Sequence, residues 1–117
     1  MPILNYSTKI DPTKSIGEIT ALLAKRGVRK IVADYDEKGN PVMLTFSMML
    51  RETPVFYALP CNWEGVQLAL RKQGAESRCR TEDQARRVSW RILKDWIEAQ
   101  MAIVDAQMAS LPEIFLP

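Results

Sequence analysis

The chain has 117 residues, 47% hydrophobic and 26% charged, which is the ordinary range for one globular domain with a modest core. Sixteen basic residues against 14 acidic ones leave a formal charge of +2, which excludes a field that holds the whole molecule on a polyanion and makes any electrostatic site local. Histidine is absent, which removes Ser-His and Cys-His nucleophile pairs, HExxH metal sites and any group that titrates near neutrality unperturbed.

Ile3 to Ile10 is short and mixed, and reads as an edge strand or an ordered arm. Asp11 and Pro12 then supply a cap and a first helical residue, with a further capping box at Ser15 and Glu18. Ile16, Ile19, Leu22 and Leu23 give this helix one apolar face, and Gly27 suits the left-handed closing position. Val28 to Tyr35 is rich in β-branched residues and runs into Asp34 to Pro41, a polar stretch with the Gly and Pro of a hairpin loop. From Val42 to Leu50, the residues Val42, Leu44, Phe46, Met48 and Leu50 alternate with Met43, Thr45, Ser47 and Met49, one face apolar and the other mixed. Arg51, Glu52 and Thr53 make a tight reversal into a third strand, Pro54 to Leu59, whose prolines keep to its ends. Asn62 caps a second helix with Trp63, Val66, Ala69 and Leu70 inward, and Gly74 closes it before a short basic loop.

The last helix is predicted over about residues 82–110. Thr81, Glu82, Asp83 and Gln84 form its start: a hydroxyl that can accept the third backbone N–H, a Gln that can reach back to the cap, and two acids facing the positive end of the dipole. No Pro or Gly interrupts it before Pro112, so about 29 residues would span about 43 Å, more than the roughly 35 Å diameter of a compact chain this size. At 100° per residue, Ala85, Val88, Ile92, Trp96, Ala99, Ile103 and Ala106 share one stripe. Trp90, Leu93, Ile97, Met101, Val104 and Met108 share a second, and charged residues occupy the remaining side. One stripe can cover the chain's own sheet; the second stripe is expected to meet a partner copy, which predicts a homodimer or higher homo-oligomer with Trp90, Leu93, Ile97, Met101, Val104 and Met108 at the interface. The element order is (β)αβββαα. That is an α+β fold in a single domain over 1–117: an antiparallel three- to four-stranded sheet, helices on one face and a long C-terminal helix.

No apolar run reaches membrane-spanning length and no basic-then-apolar leader opens the chain, so a cytoplasmic protein is expected. Cys61 and Cys79 read as free thiols, and two cysteines without histidine do not make a zinc set. Cys79 stands between two arginines that could lower its pKa, with no catalytic partner near it in sequence. No Walker loop, no GxGxxG after a strand and no metal-spaced carboxylate set is present, so neither enzyme activity, metal nor cofactor is expected.

Between Arg71 and Lys94 lie eight basic residues against three acidic ones, a local +5 in a chain of +2. Six of the eight are arginine, whose planar donors suit phosphate. Arg71, Arg78, Arg80, Arg86 and Arg91, with Trp90 as a stacking surface, are the candidate ligand-binding residues. Arg87, Arg91 and Lys94 opposite Asp95 and Glu98 read equally well as a solvated face. Trp63, Trp90 and Trp96 are more often core or interface residues than stackers. Arg86, pointing into the second stripe one turn from Trp90, needs a partner, a ligand or an indole face.

Four segments carry a resemblance: NYSTKI at 5–10, LPCNWEGV at 59–66, QARRVSWRILKDWIEAQMA at 84–102 and IFLP at 114–117. Together they resemble small uncharacterised proteins encoded by bacteriophages and prophages. The resemblance carries no established activity and no catalytic residue. Those proteins continue past the FLP, which implies a short form here. A phage setting implies roles in replication or recombination, or in blunting host defence. Three functions are therefore expected in order. The first is a non-enzymatic binder of a phosphate-bearing ligand, such as a nucleotide immune signal. The second is a single-stranded or duplex DNA-binding accessory protein, and the third an inhibitor that binds a host protein.

Overall fold

The computed structural model describes residues 5–50 and 52–106; of Met49, Leu50 and Val104 it describes the backbone alone. The elements are α1 (Pro12–Ala24), β1 (Lys30–Tyr35), β2 (Pro41–Leu50), β3 (Thr53–Pro60), α2 (Trp63–Lys72), a 3-10 turn at Ser77–Cys79, and α3 (Glu82–Asp105). The α+β class and the order of helices and strands match the sequence.

Each element starts where its cap stands. The Asp11 carboxylate accepts the Thr13 N–H at 2.9 Å with Pro12 in the first turn, and after α1 Gly27 takes φ +92°. In the β1–β2 loop the Asp36 carboxylate accepts the Lys38 and Asn40 N–H groups, both at 2.9 Å, while Gly39 lies at φ +83°. Those bonds, the one from Asn40 foremost, hold the Asp36 carboxyl below its ordinary range. Leu50 pairs with Thr53 across a tight reversal in which Glu52 sits at φ +70°, a region that disfavours a side chain.

The sheet has order β1-β2-β3 and is antiparallel throughout. Leu44, Phe46, Met48 and Leu59 on its inner face join Ile16, Ile19, Leu23 and Val28 of the first helix and its exit, and Trp90, Ile97 and Met101 of α3, in one core. Among the described residues the helices cover this face only. Lys30, Val32 and Asp34 of β1, with Phe56 and Ala58 of β3, are exposed on the other face.

The N-terminal segment forms no strand among the described residues; it lies as an arm against α3. Gln84 donates from Nε2 to the carbonyls of Tyr6 at 3.1 Å and Thr8 at 2.8 Å, and Asn5 Nδ2 donates to Asp95 at 2.7 Å. Gln84 therefore does not close a capping box back onto Thr81, although the Thr81 hydroxyl does accept the Gln84 N–H at 3.1 Å. The helix is unbroken over 24 residues, about 36 Å; the expected continuation to 110 lies outside the described residues. With extents of 48 × 33 × 23 Å and a radius of gyration of 15.2 Å, the molecule is longer than a compact sphere of its size.

The second stripe of α3 turns into the chain's own core and not outward to a partner copy as expected. Trp90, Ile97 and Met101, assigned to a partner copy, are 0–1% exposed within one chain, and Leu93 packs half-buried against the same core. Val104 and Met108 lie outside what is described for side chains. On the other stripe Ala85 and Val88 are buried, Ile92 and Ile103 half-buried, and Trp96, Ala99 and Ala106 exposed. The second stripe carries the larger side chains, and turning it into the core removes more apolar area from water.

Candidate functional site

Arg86 stands in the first turns of α3, facing the β1–β2 loop and the start of α2. Its side chain is 9% exposed, and its Nη2 lies 3.2 Å from Glu82 and 3.6 Å from Asp36. The guanidinium carbon sits 4.9 Å from the centre of the Trp63 ring. Two carboxylates and an indole face therefore neutralise this buried cation, as its position in an apolar stripe demands. Only Nη1 has no hydrogen-bond acceptor. Beside it, burial pushes the Cys61 thiol up in pKa although the Ser89 hydroxyl bonds to it, so Cys61 stays a protonated thiol near neutrality. Cys79 is buried, and neither cysteine is in a disulfide.

Arg91 faces another direction, towards α1. It is 6% exposed, forms an ion pair with Glu18 and lies 3.5 Å from the Ser15 hydroxyl. Lys94 extends the pair into a network, at 2.6 Å from Glu98, 3.7 Å from Glu18 and 3.8 Å from Asp95. The hydrogen bond from Arg91 holds the Glu18 carboxyl below its usual range, and the bond to Glu98 raises Lys94. Trp90 is fully buried, with its indole N–H directed at the Pro41 carbonyl at 3.4 Å. Arg71 is exposed at the end of α2, Arg78 pairs with Glu76 at 2.8 Å, and Arg80 is half-buried with Nη2 3.1 Å from the Ser77 hydroxyl.

The six sequence-expected ligand residues are thus not one cluster. Arg86 and Arg91 are occupied on separate sides of α3, Trp90 is inside the core, and Arg71, Arg78 and Arg80 remain near the surface. Comparison with protein-family models, curated proteins and solved structures finds no match. Among the described residues no helix is long and apolar enough to cross a membrane, and no group of three or more His, Cys, Asp or Glu could hold a metal ion.

What residue-by-residue reading missed is a groove between α2 and α3. It encloses about 350 Å³ and is lined by Pro60, Asn62, Gly65, Val66, Ala69, Ser89, Ile92 and Leu93. Asn62 holds one end in place, its side chain accepting the Gly65 N–H at 3.2 Å to cap α2. Gln67 fixes α2 to the entry of α3 by donating to the Arg80 carbonyl at 2.8 Å. The lining is mostly apolar. The two helices that wall the groove also carry exposed large side chains, Leu68 at 53% on α2 and Trp96 at 40% on α3. Stripe counting could have found the groove through Ala69, a small residue at a position otherwise suited to a larger core side chain.

Proposed function

We propose that this chain is a non-enzymatic binding protein that takes an amphipathic helix of a partner protein into the α2–α3 groove. One observation carries the reading: the groove is lined mostly by apolar residues, Ile92 of α3 among them with the exposed Trp96 one turn further along, while Arg86 and Arg91 of the same helix are already paired inside the chain. A trough between two helices is the shape that receives a third, anchored by apolar residues at i, i+4 and i+7. Ten residues of α2 give it about 15 Å of wall, enough for about three turns of partner helix. The resemblance to phage-encoded proteins favours a host protein as that partner.

The test places a photo-crosslinking residue at Leu68, and as a control at Glu37, in cells that make the chain. A discrete adduct from position 68 alone, lost when Ala69 is replaced by Arg to fill the groove, supports the reading. Equal adducts from both positions, or an adduct indifferent to Ala69→Arg, overturn it.

A second reading keeps a phosphate-bearing ligand, a nucleotide or DNA, at the surface arginines. Arg78 and Arg80 directly precede α3, whose N-terminal end favours an anion, and Arg71 is exposed at the end of α2, which is what favours it. Thermal shift with mononucleotides, cyclic nucleotides and oligonucleotides at two salt concentrations separates the two. A shift that Arg71→Ala and Arg80→Ala remove selects the phosphate ligand.

A further inference from the structure

A half-covered antiparallel sheet ordinarily alternates apolar residues inward with polar residues outward. The bare face here departs from that. Register lays its outward positions in rows: Lys30, Ser47 and Phe56; then Val32, Thr45 and Ala58; then Asp34, Met43 and Pro60. Val32 is 43% exposed and Phe56 61%. Within those rows only Lys30 and Asp34 are charged, they have opposite signs, and both are exposed on β1. Neither has an ion pair among the described residues.

The placement of those two charges is self-complementary. Lys30 and Asp34 lie two residues to either side of Val32. A two-fold axis in the plane between two stacked sheets, perpendicular to the strands and over the Val32–Thr45–Ala58 row, carries each outer row onto the other. Lys30 of one copy then stands over the partner's Asp34, twice per dimer, and Phe56 stands over the partner's Pro60. The middle row, with no side chain larger than Val or Thr, meets itself. An isologous contact requires this kind of self-matching patch, and aligned sheets stack about 10 Å apart at angles near −30°.

We infer that two copies of this chain stack the open faces of their sheets, aligned by reciprocal Lys30–Asp34 pairs. This contact is independent of the α2–α3 groove, which lies on the helical side. Three strands spaced about 4.8 Å, each contributing about six residues, offer a face of roughly 14 × 20 Å per copy. That is less than the roughly 800 Å² per partner of a standard interface, so dimer exchanges with monomer as concentration changes.

Sedimentation over a wide concentration range tests it with two charge variants, Lys30→Asp and Asp34→Lys. Each alone places like charges opposite one another at both contacts, and its association constant is expected to fall about tenfold or more. Mixed together, the two variants form a heterodimer in which all pairs are again opposite, and association returns to the parent value. Phe56→Asp abolishes it. A parent chain that stays monomeric at all concentrations overturns the inference. So does a dimer that survives both single variants, a mixture that associates no better than its components, or a dimer lost on Trp96→Asp, which would move the contact to the helical side. All four sites are exposed, and a circular dichroism spectrum unchanged from the parent confirms that each variant is folded.

Discussion

Ile97 and Ala99 are two residues apart on α3 and face opposite fates if the stripe assignment is right. Ile97 is fully buried in the core, whereas Ala99 is exposed. Replacing Ile97 with Asp removes a buried aliphatic side chain, at about 2–3 kcal/mol. It also forces a carboxyl into an apolar site; kept neutral there at pH 7, from an ordinary pKa near 3.9, it costs about a further 4 kcal/mol. The sum, about 6–7 kcal/mol, is comparable with the whole stability of a domain this size, roughly 5–15 kcal/mol. Ala99→Asp exchanges one exposed helical residue for another and costs about 0.7 kcal/mol of helix propensity. Urea unfolding followed by tryptophan fluorescence separates them. With a slope of about 1–3 kcal/mol per molar urea, Ile97→Asp should lose its folded baseline and Ala99→Asp should shift its midpoint by about 0.7 M or less. An Ile97→Asp chain that keeps the parental midpoint and merely sediments as a smaller species would refute the reasoning, because the stripe would then face another copy and not its own sheet.

The α1–α3 network gives further checks. Glu18→Gln leaves the buried Arg91 with the Ser15 hydroxyl at 3.5 Å and no carboxylate, and is expected to lose about 2–3 kcal/mol in chemical unfolding; Glu18→Gln combined with Arg91→Met recovers part of it. Because the Glu18 carboxyl is held below its ordinary 4.5, its stabilisation is complete above that pH and is lost as pH falls through the depressed folded value. Lys94, raised above its ordinary 10.5, contributes fully below that pH and loses its contribution as pH rises through the folded value. Burial raises the Cys61 thiol above its ordinary 9.0, so its contribution too is lost as pH rises; unfolding midpoints measured against pH should therefore be flattest between about 5 and 8, and Glu18→Gln should shrink the acid limb while leaving most of the alkaline one. At the β2–β3 reversal, Glu52→Asn or Glu52→Gly relieves a side chain held at φ +70° and should raise stability by about 0.4–1 kcal/mol, read as a higher urea midpoint with unchanged slope.

Much of the architecture was legible because its signals are local. Asp11-Pro12 and Gly27 bracket α1, Asn62 caps α2, and the alternation from Leu44 to Met48 orients β2, each within a few residues of the element it sets. The direction in which α3 faces is not local. Both stripes have the right period, and the choice between them depends on the shape of the sheet that meets them, which no window of α3 contains. The arginines illustrate the same limit. Composition located the excess of positive charge between 71 and 94, but Glu18 and Asp36, which lie far away in sequence, decide that Arg91 and Arg86 are engaged inside the molecule. Gln84 has the spacing of a reciprocal cap and instead reaches the carbonyls of Tyr6 and Thr8, since a chain segment nearly 80 residues distant offers it two acceptors.

That last contact sets an order of events during synthesis. Residues 5–8 leave the ribosome long before their anchors, Gln84 and Asp95 of α3. Arg26 at the exit of α1 likewise waits for Asp105. A nascent chain halted anywhere before α3 emerges holds a sheet without its lid and an arm with nowhere to settle, so tertiary closure waits for that helix.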